Sequence, residues 1–90
     1  MRKYYIDFSK AKTIGEIHLA LKEQLKLPDW YGENLDALWD MLTGHIEPGE
    51  MNLLGLHKLP NSLYDYSKKL LETFKRAEEL DDYSIIVDDD

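Results

Sequence analysis

Asp36 and Asp40 stand four residues apart in the run NLDALWDMLTG, the spacing that places two side chains on one side of a helix. Carboxylates so placed can hold a hard cation, exchange protons with a substrate, or meet a positively charged surface. Glu33, Asp36 and Asp40 could together offer oxygens to Mg²⁺ or Ca²⁺, but the D-x-[DN]-x-[DN]-G spacing of a calcium loop is absent. Acid–base catalysis needs a pocket that holds two pKa values apart, which a short exposed helix does not provide. His18, His45 and His57 are scattered without zinc-ligand spacing. No P-loop, GxGxxG or GxSxG motif occurs, and Ser9, Ser62, Ser67 and Ser84 show no nucleophile arrangement. No catalytic residue, metal site or cofactor is assigned, and the chain is not expected to be an enzyme. Docking to a cationic surface is the chemistry that remains.

The charge distribution agrees. From Leu27 through His57 the chain carries Asp29, Glu33, Asp36, Asp40, Glu47 and Glu50 and no Lys or Arg. Six of the seven net negative charges therefore come from this window. Trp30, Tyr31 and Trp39 lie in it too, and an acidic, aromatic-rich patch suits a basic protein partner. Nucleic acid is disfavoured as a partner, because its phosphates would be repelled. The plainer alternative is a solvated acidic face with Trp39 as core, and Asp36 near a helix start needs only the helix dipole. Asp40 fits that alternative poorly. It lies toward the negative end of its helix with a like charge at i−4, and each such defect costs about 0.2–1 kcal/mol.

Local signals place these residues on elements. Asn34 is a good N-cap, Leu35 to Thr43 read as a short helix, and Gly44 is expected to end it as a left-handed residue. Leu35, Leu38, Trp39 and Leu42 fall on one side of this helix. Pro28 should stop the preceding helix, and Asp29-Trp30-Tyr31-Gly32 an aromatic loop leading to the cap, so that carboxylates and flanking aromatics face outward. Upstream, Lys3 to Phe8 reads as a strand covered on both sides, with Tyr4, Ile6 and Phe8 on one face and Tyr5 on the other. Thr13 and Glu16 form a capping box that opens a helix with the stripe Ile14, Ile17, Leu21 and Leu25. His18 lies beside that stripe, a packed or surface histidine.

Downstream, Met51 to Leu56 reads as a buried strand in which Gly55 allows close backbone approach. Residues 58–64 fit either a short helix or a turn. A helix over about 66–80 has the stripe Leu70, Leu71, Phe74 and Ala77 and the opposite-charge spacings Lys68–Glu72 and Glu72–Arg76. Tyr83 to Val87 is a third strand, and Asp88 to Asp90 a charged, frayed end. The order β-α-α-β-α-β calls for parallel strands in an α/β two-layer sandwich, one domain over residues 1–90. No apolar run approaches 18 residues and no leader is visible, so no membrane association is expected. The absence of cysteine fits a cytoplasmic protein.

The run YGENLDALWD, Tyr31 to Asp40, set in LPDWYGENLDALWDMLTG, resembles the barstar family, intracellular inhibitors of barnase-type ribonucleases. The similarity extends more weakly over nearly the whole chain, including LLETFKRAEEL and the closing strand. The resemblance implies a three-stranded parallel sheet packed with about four helices. It also implies a monomer that forms a 1:1 heterodimer with an extracellular-type or toxin ribonuclease, filling that enzyme's basic active site. By resemblance Asp40 would occupy a phosphate subsite with Asp36 supporting it, and Trp30, Asn34, Leu35, Trp39, Thr43 and Gly44 would complete the contact surface. Three positions depart from the family's pattern. His45 stands where a tryptophan is usual, Trp30 where a tyrosine is, and Arg76 where the last helix presents an acid. Reversal of charge at residue 76 points to a cognate nuclease other than barnase itself. The alternative is an acidic domain that binds a basic protein segment or a metal and inhibits no nuclease.

Overall fold

A computed structural model describes residues 2–88. The chain runs β1 (Arg2–Asp7), α1 (Ile14–Gln24), α2 (Leu35–Gly44), β2 (Gly49–Leu54), α3 (Tyr64–Leu80) and β3 (Ser84–Asp88), with single 3₁₀ turns at Leu56–Lys58 and Asn61–Leu63. The strands form one sheet in the order β1-β2-β3, both pairs parallel. The expected α/β architecture is thus observed, with three α-helices and two 3₁₀ turns in place of about four helices. The frayed end expected at 88–90 lies, for Asp89 and Asp90, outside the described residues.

The core forms where the apolar side of the sheet meets the helices. Ile6, Met51 and Leu53 from the strands pack with Ile17 and Leu21 of α1, Leu38 and Leu42 of α2, and Leu70 and Phe74 of α3, all essentially without solvent exposure. Strand β2 alternates strictly, with Gly49, Met51 and Leu53 buried and the residues between them half-buried. The other face of the sheet is open. Tyr5 pairs across β2 with Asn52 and Ile86, and Tyr5 and Ile86 are 55% and 41% exposed. The expectation that β1 is covered on both sides is therefore corrected. All three helices serve one face, and an aromatic on the solvent face has the same apolar signature as a buried one.

Two helix boundaries have causes other than those expected. Helix α1 ends four residues before Pro28, where Lys26 adopts a left-handed φ of 55° and the Leu27 N–H donates to the Lys22 carbonyl at 2.9 Å. That is the closing bond of a Schellman turn, and proline merely follows it. Its start matches the capping expectation in part. Thr13 Oγ1 accepts from the Glu16 N–H, while Glu16 Oε1 accepts from the Lys12 N–H rather than from that of Thr13. Ile14, expected in the apolar stripe, is 43% exposed, and His18 takes a place in the core. Gly55 shows the close approach expected of it, just beyond β2: its φ is +75°, and a Cβ there would lie 2.8 Å from Cβ of Ser9.

Candidate functional site

Helix α2 is held at both ends by its own chemistry. At its start Asn34 Oδ1 accepts the Ala37 N–H at 2.7 Å, and the same amide donates from Nδ2 to the Gly32 carbonyl at 3.2 Å. Both functions of Asn34 are therefore spent on shaping the turn. Glu33, with a left-handed φ of 54°, directs the chain into that cap. At the other end Gly44 is not left-handed as expected but the last residue of the helix. The His45 and Ile46 N–H groups both reach the Met41 carbonyl, at 3.1 and 3.0 Å. The Tyr83 hydroxyl, buried just before β3, donates to the Leu42 carbonyl at 2.5 Å. These bonds occupy carbonyls that a glycine-based cap would otherwise serve.

On this anchored helix the buried side is Leu38, Met41 and Leu42, with Leu35, Ala37 and Trp39 half-buried beside it. Asp36 and Asp40 are exposed, and neither takes an ion pair or side-chain hydrogen bond among the described residues. Other acids of the same window are engaged elsewhere. Asp29 lies 3.9 Å from Lys22, and Glu47 pairs with Arg2. Thr43 and Gly44 are exposed, with the Thr43 hydroxyl turned back to the Trp39 carbonyl at 2.8 Å. No neighbouring atom would lie within 4 Å of a Cβ at Gly44, so the helix end there is bare.

The flanking residues meet across the helix ends. Trp30 is 69% exposed and packs edge-to-face on His45, ring centres 5.8 Å apart, joining the loop before α2 to the residue after it. Arg76 of α3 is brought over the Trp39 ring, its guanidinium carbon 4.9 Å from the ring centre. The helical pairings expected at Lys68–Glu72 and Glu72–Arg76 are not among the ion pairs of the described residues. Tyr31, expected to face outward with Trp30, is instead buried.

Tyr31 belongs to a buried cluster. Its hydroxyl lies 2.7 Å from His18 Nδ1, and the Tyr66 hydroxyl lies 2.6 Å from His18 Nε2. Three elements, α1, the aromatic loop and α3, are thereby tied through one imidazole. Neutral imidazole offers one donor and one acceptor, which two hydroxyls can satisfy together. Burial holds the His18 pKa below its ordinary value, opposed in part by Glu33. Burial likewise raises the pKa of Tyr31, with contributions from Tyr66 and Glu33, and that of Tyr66. Sequence spacing offered no sign of this cluster beyond a histidine on the edge of an apolar stripe. Among the described residues no three His, Asp or Glu side chains gather as they would around a metal ion, and no helix is long and apolar enough to cross a membrane.

Comparison with known proteins follows the same lines. Residues 1–87 match the family model described as "Barstar (barnase inhibitor)". A protein of Bacillus subtilis (strain 168), named "Putative ribonuclease inhibitor YrdF", is 38% identical over 91 residues, covering 98% of this chain and 100% of the relative. The match takes in all the described elements apart from the last residue of β3, and with them α2, its aromatic loop and the Arg76 segment. The chain belongs to the barstar family.

Proposed function

We propose that this protein inhibits a secreted-type or toxin ribonuclease by laying α2 across its basic active site. A ribonuclease must bind RNA phosphates, so its cleft carries cationic groups, and carboxylates on a rigid helix can take the phosphate positions. The observation that carries this reading is that Asp36 and Asp40 are exposed and unpaired on a helix anchored at both ends. No internal ion pair has to break before they meet a partner. Asp40 fills the phosphate subsite and Asp36 adds to its field. Trp30, Leu35, Trp39, Thr43, Gly44 and His45 supply surrounding contact area, while Asn34 keeps the helix start in shape. The inhibitor itself catalyses nothing and needs no metal. It acts in the cytoplasm as an immunity protein, one molecule to one nuclease.

The test is RNA cleavage by barnase and by a panel of secreted ribonucleases, with and without the purified protein. At least one enzyme is expected to be blocked at a 1:1 ratio, and Asp40→Ala should release the block. Binding to basic proteins that leaves all cleavage unaffected would instead favour an acidic docking domain. Metal-stimulated turnover that survives repurification and disappears in Asp36→Ala would overturn the inhibitor reading.

A further inference from the structure

Arg76 breaks the charge pattern of the candidate face. The window from 27 to 57 contains no Lys or Arg, yet the fold sets an arginine from α3 over Trp39, the residue directly preceding Asp40. Two carboxylates of its own helix, Glu72 at i−4 and Glu79 at i+3, are spaced for pairing. Neither forms an ion pair with it, and no hydrogen bond takes up its five N–H donors among the described residues. The side chain rests on the indole instead. A guanidinium held against an aromatic ring has lost part of the freedom that ordering a long side chain would otherwise remove on binding. Its donors remain available, and the fork they form matches a carboxylate in two parallel hydrogen bonds.

Resting on the inhibitory reading above, we propose that Arg76 is a specificity residue selecting a ribonuclease that presents an aspartate or glutamate at the rim of its basic cleft. The face is bipolar, with bare carboxylates along α2 and a bare cation at the Trp39 edge. Its complement is a cationic centre with an acid beside it. A nuclease whose rim is basic throughout meets repulsion at residue 76 and is discriminated against.

The probe is barnase, with a set of variants in which each Arg or Lys around its active site is changed singly to Glu. Association and dissociation rates are measured against the unaltered protein and against Arg76→Ala, Arg76→Glu, Arg76→Lys and Asp40→Ala. At least one Glu variant at the rim should bind the unaltered protein about fivefold more tightly than it binds Arg76→Ala, the upper range for an exposed ion pair. Arg76→Glu should reverse that preference, and Arg76→Lys should retain only part of it, since lysine keeps the charge but not the fork. Binding that depends on Asp40 while no rim variant responds to residue 76 would overturn this inference and leave inhibition standing. Absence of binding by every barnase variant, the acid-rimmed ones included, would overturn this inference while inhibition of another nuclease in the panel stays open, and binding indifferent to Asp40 would count against both.

Discussion

Single residues on α2 divide into those that build the face and those that use it. Asp40 stabilises nothing that the structure shows. Near the negative end of its helix and four residues from Asp36, it is expected to cost a little stability, so Asp40→Ala should raise the melting temperature slightly or leave it unchanged. Binding to an inhibited nuclease should meanwhile weaken by about 2–5 kcal/mol, mostly through faster dissociation, because a charge in the enzyme is left buried and unpaired. The two tryptophans should part in the same way. Trp30, 69% exposed, can be truncated to alanine with a stability change within about 0.5 kcal/mol. Trp39 is half-buried against the core, so its truncation should fall below the roughly 3–5 kcal/mol of a fully buried ring. Urea denaturation of both variants checks the split. His18 makes a prediction in pH. Its folded pKa is held below the ordinary 6.5, so above that value both folded and unfolded chains carry neutral imidazole and its contribution is complete. As pH falls below 6.5 the unfolded chain takes up a proton first, and stability declines until the folded pKa is reached. Denaturation midpoints at pH 7.5 and 5.5 should show this slope in the native protein and a smaller one in His18→Phe, which also loses about 1–3 kcal/mol by stranding the buried Tyr31 hydroxyl. The Asn34 cap was legible from residue order because its partner lies three positions away. The histidine cluster was not, because its partners lie 13 and 48 positions away.

At the scale of elements, local grammar was readable and tertiary cover was not. Helix α3 shows its period in Leu70, Phe74 and Ala77, all buried, and the capping residues of α1 and α2 are where their types suggest. What misled was any feature whose meaning depends on a distant segment. Tyr5 suggests a covered face because strand alternation reports polarity and not which side a helix occupies. Nothing local marks Gly49, yet a Cβ there would collide with the Arg2 carbonyl oxygen, an approach created by pairing with β1. A glycine at position 44 suggests a left-handed terminator, whereas the end of α2 is closed by other groups and the glycine is helical. That correction makes a prediction. Gly44→Ala should stabilise the protein by up to about 1 kcal/mol, since alanine is the better helix former and open space receives its methyl. If the nuclease packs its backbone against this bare end, the same substitution should weaken inhibition. Thermal denaturation and inhibition assays of the one variant separate the two effects.

The whole molecule carries a lopsided field, six acids in one window without an intervening base. Association with a basic cleft should accordingly be fast and dependent on salt, because the screening length shrinks from about 30 Å at 0.01 M to about 8 Å at physiological strength. Stopped-flow measurements across that range should show the association rate falling by about tenfold or more while dissociation changes little. A rate indifferent to salt would mean that the acidic window does not steer the encounter. The bond from Tyr83 to the end of α2 has a consequence of another kind, in the timing of synthesis. The helix proposed to face the nuclease lies in the middle of the chain, but the hydroxyl that fastens its last turn arrives 41 residues after Leu42. The strand that completes the sheet follows that tyrosine directly. A nascent chain that has emerged only as far as residue 82 can wind α2 and cap its start but lacks the Tyr83 bond that fastens its last turn. On the inhibitory reading proposed above, a nuclease would be blocked only once the final strand has left the ribosome and docked, however early the acidic residues themselves appear.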